Sequence, residues 1–302
     1  MAATKPPSMI YGVRDHARYL YHYTRADIAI DYILKNRTLR LGSLAKTNDP
    51  RESKEWRFSM GTNENRDLGK YSMTELSAWL SAALKRNTKL ACFCTDGTLT
   101  GDHIEDVLSR GFVRPRMWAQ YGGNHTGVCL VFDREALIAA LQKHFEGFSK
   151  VHGPVTYRNP HLVRGLDAHE FSINIDLLER FGRDRYAFEH VKQHCAQLFF
   201  EKLTDWRDEV EWRAVVFANS DADLYLPIDD SLCGVMHGAS ISRSNSTAII
   251  KLADRPEIQH MGLRWSNSNP WYDLARPCWS AQDRASPWFE FDEGPEPYEQ
   301  SN

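Results

Sequence analysis

The sequence predicts an α+β protein with a single mixed sheet as its core and helices flanking it. Helical and strand patterns are interspersed along the chain, without the strict alternation that is typical of a doubly wound sheet. The 302 residues include 42% hydrophobic side chains and carry a formal net charge of -3. This is enough apolar material for one large domain or two modest ones. We expect one α+β domain over residues 1–276.

The first predicted element is a short strand, "YLYHYT", at residues 19–24. Aromatic residues favour strands, and alternation places His22 and Thr24 on one face and Tyr23 on the other. Thr24 is then the predicted N-cap of a helix, with Asp27 three residues later completing a capping pattern. The chain is expected to run from strand to helix here.

A second helix start is predicted at "NDPRE", residues 48–52. Asp49 has the chemistry of a cap, Pro50 suits the first helical position, and Glu52 follows three residues after the cap. Capping explains these three residues without any ligand. Asn48 is not explained by capping, so it stays a candidate for ligand contact.

The same patterns predict the remaining elements. Apolar periodicity, caps and turn residues define each of them. In chain order, we expect a helix capped by Ser72 that ends near Arg86, a strand at 89–95, a helical turn at 116–121, a strand at 126–132, a helix capped by Asp133, a strand at 151–157, a long helix at 185–206, strands at 224–228 and 232–238, and a helix at 246–253. Residues 277–302 are acidic and rich in proline, and we expect this tail to be loosely ordered.

A row of charges is predicted on the strand at residues 209–217. Alternation places Glu209, Glu211 and Arg213 on one face. Charges on such a strand are costly unless they border a cleft or pair with one another. An ordinary ion pair on an outer edge is the simpler alternative. Residues 215–217 have the pattern of a buried strand, which favours a functional site in a cleft over an ion pair on an outer edge.

Several classes of protein are disfavoured by the sequence. No run approaches the ~20 consecutive apolar residues of a transmembrane helix, and the N-terminus lacks the apolar core of a secretory signal. We therefore expect a cytoplasmic protein without a membrane partner. The six cysteines are scattered, and we expect them to be reduced. Cys92 and Cys94 have no second pair at zinc-finger spacing, so no metal is expected.

Four stretches resemble an uncharacterised bacterial family, domain-of-unknown-function family 2971. They are "LYHYT", "NDPRES", "MWAQYGGNHTGVCLVFD" and "WRDEVEWR", and they span Leu20 to Arg213. Where that family usually has phenylalanine after the proline of its NDPFE-like motif, this chain has Arg51. The function of the family is open.

The opening segment resembles, more weakly, the start of DNA-targeting ADP-ribosyltransferase toxins and of RNA 2'-phosphotransferases. Both begin with a strand carrying "YH-x-T", which a helix follows. The resemblance implies an ADP-ribosyltransferase-like fold and NAD as co-substrate. In that superfamily the strand histidine binds a ribose hydroxyl, an aromatic ring stacks on nicotinamide, and a later glutamate steadies the oxocarbenium-like ribose. A carboxylate in a cleft of low dielectric stabilises such a positive charge.

The resemblance assigns two sets of candidate site residues. His22 would hold the adenosine ribose, and Tyr121 is the candidate for stacking. Either Glu209 or Glu211 would be the catalytic carboxylate, and Arg213 would orient it or grip a phosphate. The complete NAD-binding set is His22, Tyr23, Thr24, Asn48 and Tyr121.

Two classes of function remain open. The first is an NAD-using ADP-ribosyltransferase-like enzyme, a toxin or defence effector that modifies nucleic acid or protein. The second is a non-catalytic sensor that binds a nucleotide or another phosphate-bearing ligand in the same cleft. A metal-dependent nuclease ranks below both, because no pattern sets carboxylates at metal spacing.

Overall fold

A computed structural model describes Ile10 and residues 15–102, 104–159, 169–267 and 269–272. The described chain mixes helices with parallel and antiparallel strand pairs, which confirms the α+β class. The described residues form two compact units: those within Met1–Thr38, Thr95–Ile138 and Ile228–Asn302 make the first, and those within Leu39–Cys94 and Ala139–Pro227 make the second. The single domain over 1–276 stays a prediction, and the tail at 277–302 lies outside the described residues.

The strands are numbered in chain order. They are β1 Tyr19–Thr24, β2 Thr38–Ser43, β3 Ser59–Gly61, β4 Thr88–Cys94, β5 Val128–Asp133, β6 Ser149–Pro154, β7 Thr156–Tyr157, β8 Ser172–Asn174, β9 Glu201–Lys202, β10 Glu211–Phe217, β11 Leu224–Pro227, β12 Leu232–His237, β13 Gln259–Ser266 and β14 Asn269–Tyr272.

The α-helices are numbered in the same way. They are α1 Ala26–Ile28, α2 Pro50–Ser53, α3 Met73–Asn87, α4 Pro115–Gln120, α5 Arg134–His144, α6 Ile175–Phe181, α7 Arg183–Phe199 and α8 Arg243–Leu252. A π-helical segment, Ala29–Leu34, continues α1, and short 3₁₀ helices include His169–Phe171 and Thr204–Glu209. Within the described residues, no helix has the length and apolarity needed to cross a membrane.

The first unit contains a mixed sheet. β5 pairs antiparallel with β1 on one side and with β12 on the other, and β12 pairs in parallel with β13. β14 extends the sheet as the antiparallel partner of β13. The side chains of residues 128–132 in β5 are all buried, which is the pattern of a central strand covered on both faces.

The second unit has antiparallel strands and its own apolar core. β10 lies between β4 and β6, and β4 also pairs with β2. The core collects apolar faces of α3 and α7 together with Trp56, Phe58 and Val215. β10 is therefore a central strand, with its first six residues buried.

Three predicted caps are confirmed. Ser72 accepts a hydrogen bond from the backbone of Glu75 at the start of α3, and Asp133 accepts one from Ala136 in α5. Asp49 caps α2 by accepting from the backbone of Arg51 at 2.9 Å. Each side chain satisfies a backbone donor that the first helical turn leaves open.

The capping role predicted for Thr24 is wrong. Arg25 is the residue before α1, and no side chain caps that helix. Thr24 instead ends β1 and is buried, because it is still paired with Val128 of β5. Asp27 forms an exposed ion pair with Arg25 rather than a capping bond.

Two predicted boundaries near the charged strand are also wrong. The helix expected at 185–206 ends at Phe199, and β9 follows it. The strand expected from Glu209 begins at Glu211, because Glu209 ends a 3₁₀ helix and Val210 adopts a left-handed conformation with φ 44°. Tertiary pairing of β10 with β4 and β6 decides where this strand starts.

Buried histidines connect α8 to two strands of the first unit. The nitrogen Nε2 of His260 faces the carbonyl oxygen of Ala253 at 3.4 Å, so it carries the proton. Nδ1 of His260 then accepts from Nε2 of His237 at 3.1 Å, and Nδ1 of His237 accepts from the Ser246 hydroxyl at 3.1 Å. This chain of bonds requires both imidazoles to be neutral.

We predict that acid destabilises the protein through these histidines. Burial lowers the pKa of His260 to about 4 and the pKa of His237 well below its usual value. An unfolded imidazole titrates near 6.5, so the unfolded state binds more protons below that pH. The free energy of unfolding should fall as pH drops from about 6.5 towards about 4. Urea denaturation across this range measures it.

The matched variant is His260→Gln, which removes one of the two imidazoles of this chain of hydrogen bonds and leaves the buried His190, whose pKa is also lowered to about 4, in place. Its free energy of unfolding should depend less steeply on pH between about 6.5 and 4 than that of the wild type. A variant with the wild-type slope would contradict the assignment of this pH dependence to the buried histidines.

Candidate functional site

The predicted catalytic residues meet in a buried ion cluster in the second unit. Arg213 is 0% exposed and Glu211 is 4% exposed. They lie two residues apart on one face of β10, and Arg213 donates to both carboxylate oxygens of Glu211, at 2.6 and 3.1 Å. This two-pronged geometry is the strong form of an arginine–carboxylate pair.

Glu52 reaches the same guanidinium from α2. Its Oε1 lies 2.5 Å from a terminal nitrogen of Arg213. Another nitrogen of Arg213 donates to the carbonyl oxygen of Phe199 at 2.6 Å. The start of α2 is confirmed. The predicted role of Glu52 in capping omits its main contact, because the Glu52 carboxylate neutralises a buried arginine.

Lys202 and Glu209 complete the set, which we call the Arg213 cluster: Glu52, Lys202, Glu209, Glu211 and Arg213. The ammonium of Lys202, on β9, lies 2.8 Å from Glu209 and 2.7 Å from Glu211. The left-handed residue Val210 turns the chain between the two glutamates. Glu209 thus joins the predicted row of charges through Lys202, although it does not lie on the strand.

The electrostatics of the Arg213 cluster hold Glu211 in its charged form. Burial opposes its ionisation, but Arg213 and Lys202 outweigh that cost and lower the pKa of Glu211 to about 2. The pKa of Lys202 is raised, because Glu211 and Glu209 outweigh the desolvation of its ammonium. Glu211, Lys202 and Arg213 therefore keep their charges at physiological pH, since the opposite charges around them favour the ionised forms.

A permanent carboxylate limits the chemistry that Glu211 can perform. A group whose pKa is about 2 does not carry a proton at neutral pH, so it cannot serve there as a general acid. It can stabilise a positive charge that develops nearby. Its backbone N–H also donates to the hydroxyl of Tyr157 at 2.8 Å, which fixes the start of β10.

Some acceptors near α2 have no donor. Oε2 of Glu52 and Oδ2 of Asp49 are buried and accept no hydrogen bond from the described residues. A buried carboxylate oxygen without a donor costs free energy, on the order of 1–3 kcal/mol. Hydroxyl groups of a ligand are one kind of donor that would satisfy them.

The strand β1 carries three predicted NAD contacts in the first unit. His22 is half-buried, and Thr24 is buried on the same face. Tyr23 points to the opposite face, where its ring meets the edge of Trp118 with centroids 5.1 Å apart. The Tyr23 hydroxyl donates to the carbonyl of Gly111 at 2.7 Å and accepts from the backbone of Arg114 at 3.2 Å. The Tyr23 hydroxyl is thus already hydrogen-bonded to the backbone of this unit.

The other two predicted contacts differ in exposure. Tyr121 is half-buried and directly follows α4 in the first unit. Asn48 is exposed and precedes the cap of α2 in the second unit. Within each unit, the structure brings together Glu209, Glu211 and Arg213, and it places His22 and Thr24 on one face. The meeting of His22, Tyr121 and the Arg213 cluster in one cleft stays a prediction.

Sequence reasoning missed Lys202 and misread Glu52. The predicted helix at 185–206 contains Lys202, and no pattern within a helix links this lysine to Glu209 or Glu211. The capping pattern accounts for a glutamate at position 52, so the sequence gives no reason to expect a buried ion pair there. A signal existed in the count of charges: Glu209, Glu211 and Arg213 leave one carboxylate without a cation, and a buried set requires another.

The carboxylates of the Arg213 cluster are of the type that can bind metal ions. Among the residues that the structure describes, no group of three or more His, Cys, Asp or Glu side chains is arranged to hold a metal ion. The carboxylates of the Arg213 cluster instead face the cations of Arg213 and Lys202.

We predict that Arg213→Met strongly destabilises the protein. The substitution leaves Glu52 and Glu211 buried with less compensation, and removing one partner of a buried ion pair typically costs about 3–5 kcal/mol. Urea denaturation followed by circular dichroism gives the free energy of unfolding. Arg207→Met is the control, because Arg207 is 72% exposed in the same unit. Equal stability of the two variants would contradict an energetic role for the Arg213 cluster.

Comparison with known proteins gives one partial family match and no function. No curated protein and no solved structure matches the chain. The model of the family described as "Protein of unknown function (DUF2971)" matches residues 117–214, about a third of the chain. The match covers Tyr121, Lys202, Glu209, Glu211 and Arg213, and it confirms the resemblance seen in the third and fourth stretches. Over residues 117–214 the chain is therefore similar to the DUF2971 family.

Proposed function

We propose that the protein is an NAD-using ADP-ribosyltransferase-like enzyme whose catalytic carboxylate is Glu211. The observation that carries the proposal is the contact of the buried Glu211 carboxylate with Arg213, at 2.6 and 3.1 Å, and with Lys202, at 2.7 Å, because these two cations hold Glu211 ionised. Such a carboxylate is suited to stabilising a cation and unsuited to donating a proton. Breaking the bond between ribose and nicotinamide creates a cation of this kind.

The reaction balances without a metal or a redox partner. The bond between C1' of the ribose and the nicotinamide nitrogen breaks, and its electron pair leaves with nicotinamide. A nucleophilic atom of the acceptor attacks C1' and loses a proton, so the products are nicotinamide, ADP-ribosylated acceptor and H⁺. The negative charge of Glu211 lowers the energy of the positively charged ribose between these events.

The remaining candidates supply binding rather than chemistry. His22 on β1 would hold the adenosine ribose, Tyr121 would stack on a ring, and Asn48 would bind a polar group. The acceptor oxygens of Glu52 and Asp49 that lack donors in the described residues suit ribose hydroxyls. The acceptor molecule would be a nucleic acid or a protein.

A second candidate function is a non-catalytic module that binds a nucleotide or another phosphate-bearing ligand. One observation favours it: both oxygens of Glu211 are already engaged by Arg213 and Lys202. A carboxylate whose charge is offset this closely stabilises a further cation less. Under this alternative, NAD or a nucleotide raises the melting temperature but is never consumed.

We predict that Glu211→Gln lowers the rate of nicotinamide release by about a hundredfold to a thousandfold, the usual loss when one electrostatic contact to a transition state is removed. Purified protein, NAD labelled in its nicotinamide ring, and DNA, RNA or lysate are the components of the assay, which measures the labelled nicotinamide released. Because the pKa of Glu211 is about 2, its titration should produce no acidic limb in the rate between pH 5 and 8.

The control for this variant is Glu189→Gln, a partly exposed glutamate of α7 whose side chain is 37% exposed. It should release nicotinamide at the wild-type rate. An unchanged circular dichroism spectrum and an unchanged shift of melting temperature with NAD separate loss of chemistry from loss of folding. Wild-type protein that releases no nicotinamide yet is stabilised by NAD would support the binding module instead.

We predict that His22→Ala weakens NAD binding about tenfold, the equivalent of one hydrogen bond of about 1.4 kcal/mol. The KM for NAD should rise while kcat changes little, since a ribose contact away from the reacting bond contributes to binding in both states. His16→Ala is the control, because His16 is exposed and precedes β1. A wild-type KM in His22→Ala would remove His22 from the site.

A further inference from the structure

A groove lined by basic and aromatic side chains lies beside α2 in the second unit. Its cavity measures about 310 Å³. Residues of α2 and of the chain that follows form most of the lining, and the 3₁₀ helix His169–Phe171 supplies the rest. The residues that define this basic groove are Arg51, Lys54, Glu55, Trp56, Arg57 and Phe171.

The basic groove is positive although the whole chain carries a net charge of -3. Arg51, Lys54 and Arg57 face a single acidic residue of the lining, Glu55. Lys54 and Arg57 are exposed, and neither forms an ion pair within the described residues. Their charges are thus open to a ligand from solvent.

Arg51, the third cation of the basic groove, is bound by neighbouring protein groups. Arg51 donates to Glu201 at 3.3 and 3.4 Å and to the carbonyl of Gln197 at 3.2 Å. Glu201 also pairs with Arg158, at 2.5 Å. One buried carboxylate is therefore shared by two guanidiniums, so these three side chains together carry one formal positive charge in excess.

Aromatic rings form the inner part of the basic groove. The indole N–H of Trp56 donates to the carbonyl of Arg51 at 2.6 Å, and the ring of Phe171 meets Trp56 edge to face with centroids 6.0 Å apart. Lys85 lies 4.6 Å from the centroid of Trp56. Phe171 is only half-buried, so part of its ring is accessible.

We propose that the basic groove binds a single-stranded nucleic acid, with Lys54 and Arg57 contacting phosphates and Phe171 contacting a base. Cations that follow the backbone beside an aromatic ring are the common means of binding single strands. A cavity of about 310 Å³ lies at the small end of ligand pockets and suits one nucleotide. Bases stacked inside a duplex are not available to the ring. The bound strand would be the acceptor of ADP-ribose, an assignment that rests on the proposed function.

Binding is measured without NAD, so that the groove is tested apart from catalysis. Fluorescence anisotropy of labelled oligothymidylate and oligouridylate gives the dissociation constants of full-length protein at several salt concentrations. The test variant is Lys54→Ala/Arg57→Ala. The backbone carbonyl of Lys54 that binds Lys85 stays in place, so folding should be retained. The control, Lys143→Ala/Lys192→Ala, removes two exposed lysines of the same unit.

The test variant should bind at least tenfold more weakly than the wild type. The slope of log K against log salt should fall by about 1.4, because each lost phosphate contact to a single strand accounts for about 0.7. The control should match the wild type in both. Equal affinities in test and control variants would overturn the proposal, as would wild-type protein that binds neither oligonucleotide.

Two further outcomes are decisive. Free adenosine monophosphate that binds as tightly as the oligonucleotides would assign the groove to a mononucleotide and overturn the strand assignment. Oligonucleotide binding that depends on Lys54 and Arg57, in a protein that releases no nicotinamide from NAD, would support the groove and contradict the proposed transferase.

Discussion

The guanidinium of Arg213 is the interaction on which the second unit depends. It is completely buried at the centre of β10, and it binds Glu211, Glu52 and a carbonyl of Phe199. These partners come from three separate elements: a central strand, the α2 turn and the end of α7. A charge removed from water requires partners of this quality, so the geometry of all three elements is constrained at once.

The same constraint gives the chain its most unusual chemistry. Glu211 stays ionised because Arg213 and Lys202 compensate for its burial. A fixed carboxylate in a polar interior costs stability, and proteins keep such groups where they serve specificity or function. A buried carboxylate that nearby cations keep ionised is compatible both with a structural ion network and with a catalytic site. The occupancy of both Glu211 oxygens favours the first, and the unsatisfied oxygens of Glu52 and Asp49 favour the second.

The Arg213 cluster and the basic groove differ in how strongly solvent screens their charges. The Arg213 cluster is buried and internally paired, so salt will affect it little. Lys54 and Arg57 are exposed and unpaired within the described residues, so their contribution will be strongly screened. A transferase requires both kinds of region, since the reacting bond must be held in a dry polar pocket and a polyanionic acceptor must be attracted from solution.

The sequence by itself determined the α+β class, the caps Ser72, Asp49 and Asp133, and the proximity of Glu211 to Arg213. These features depend on local rules: capping side chains bind backbone two or three residues away, and strand alternation sets neighbours two residues apart on one face. Tertiary structure alone decided that Thr24 stays in a strand, that Glu209 leaves one, and that Lys202 and Glu52 neutralise the buried charges. Those outcomes depend on strand pairing and on charge compensation between segments as far apart as residues 52 and 213, which no local pattern encodes.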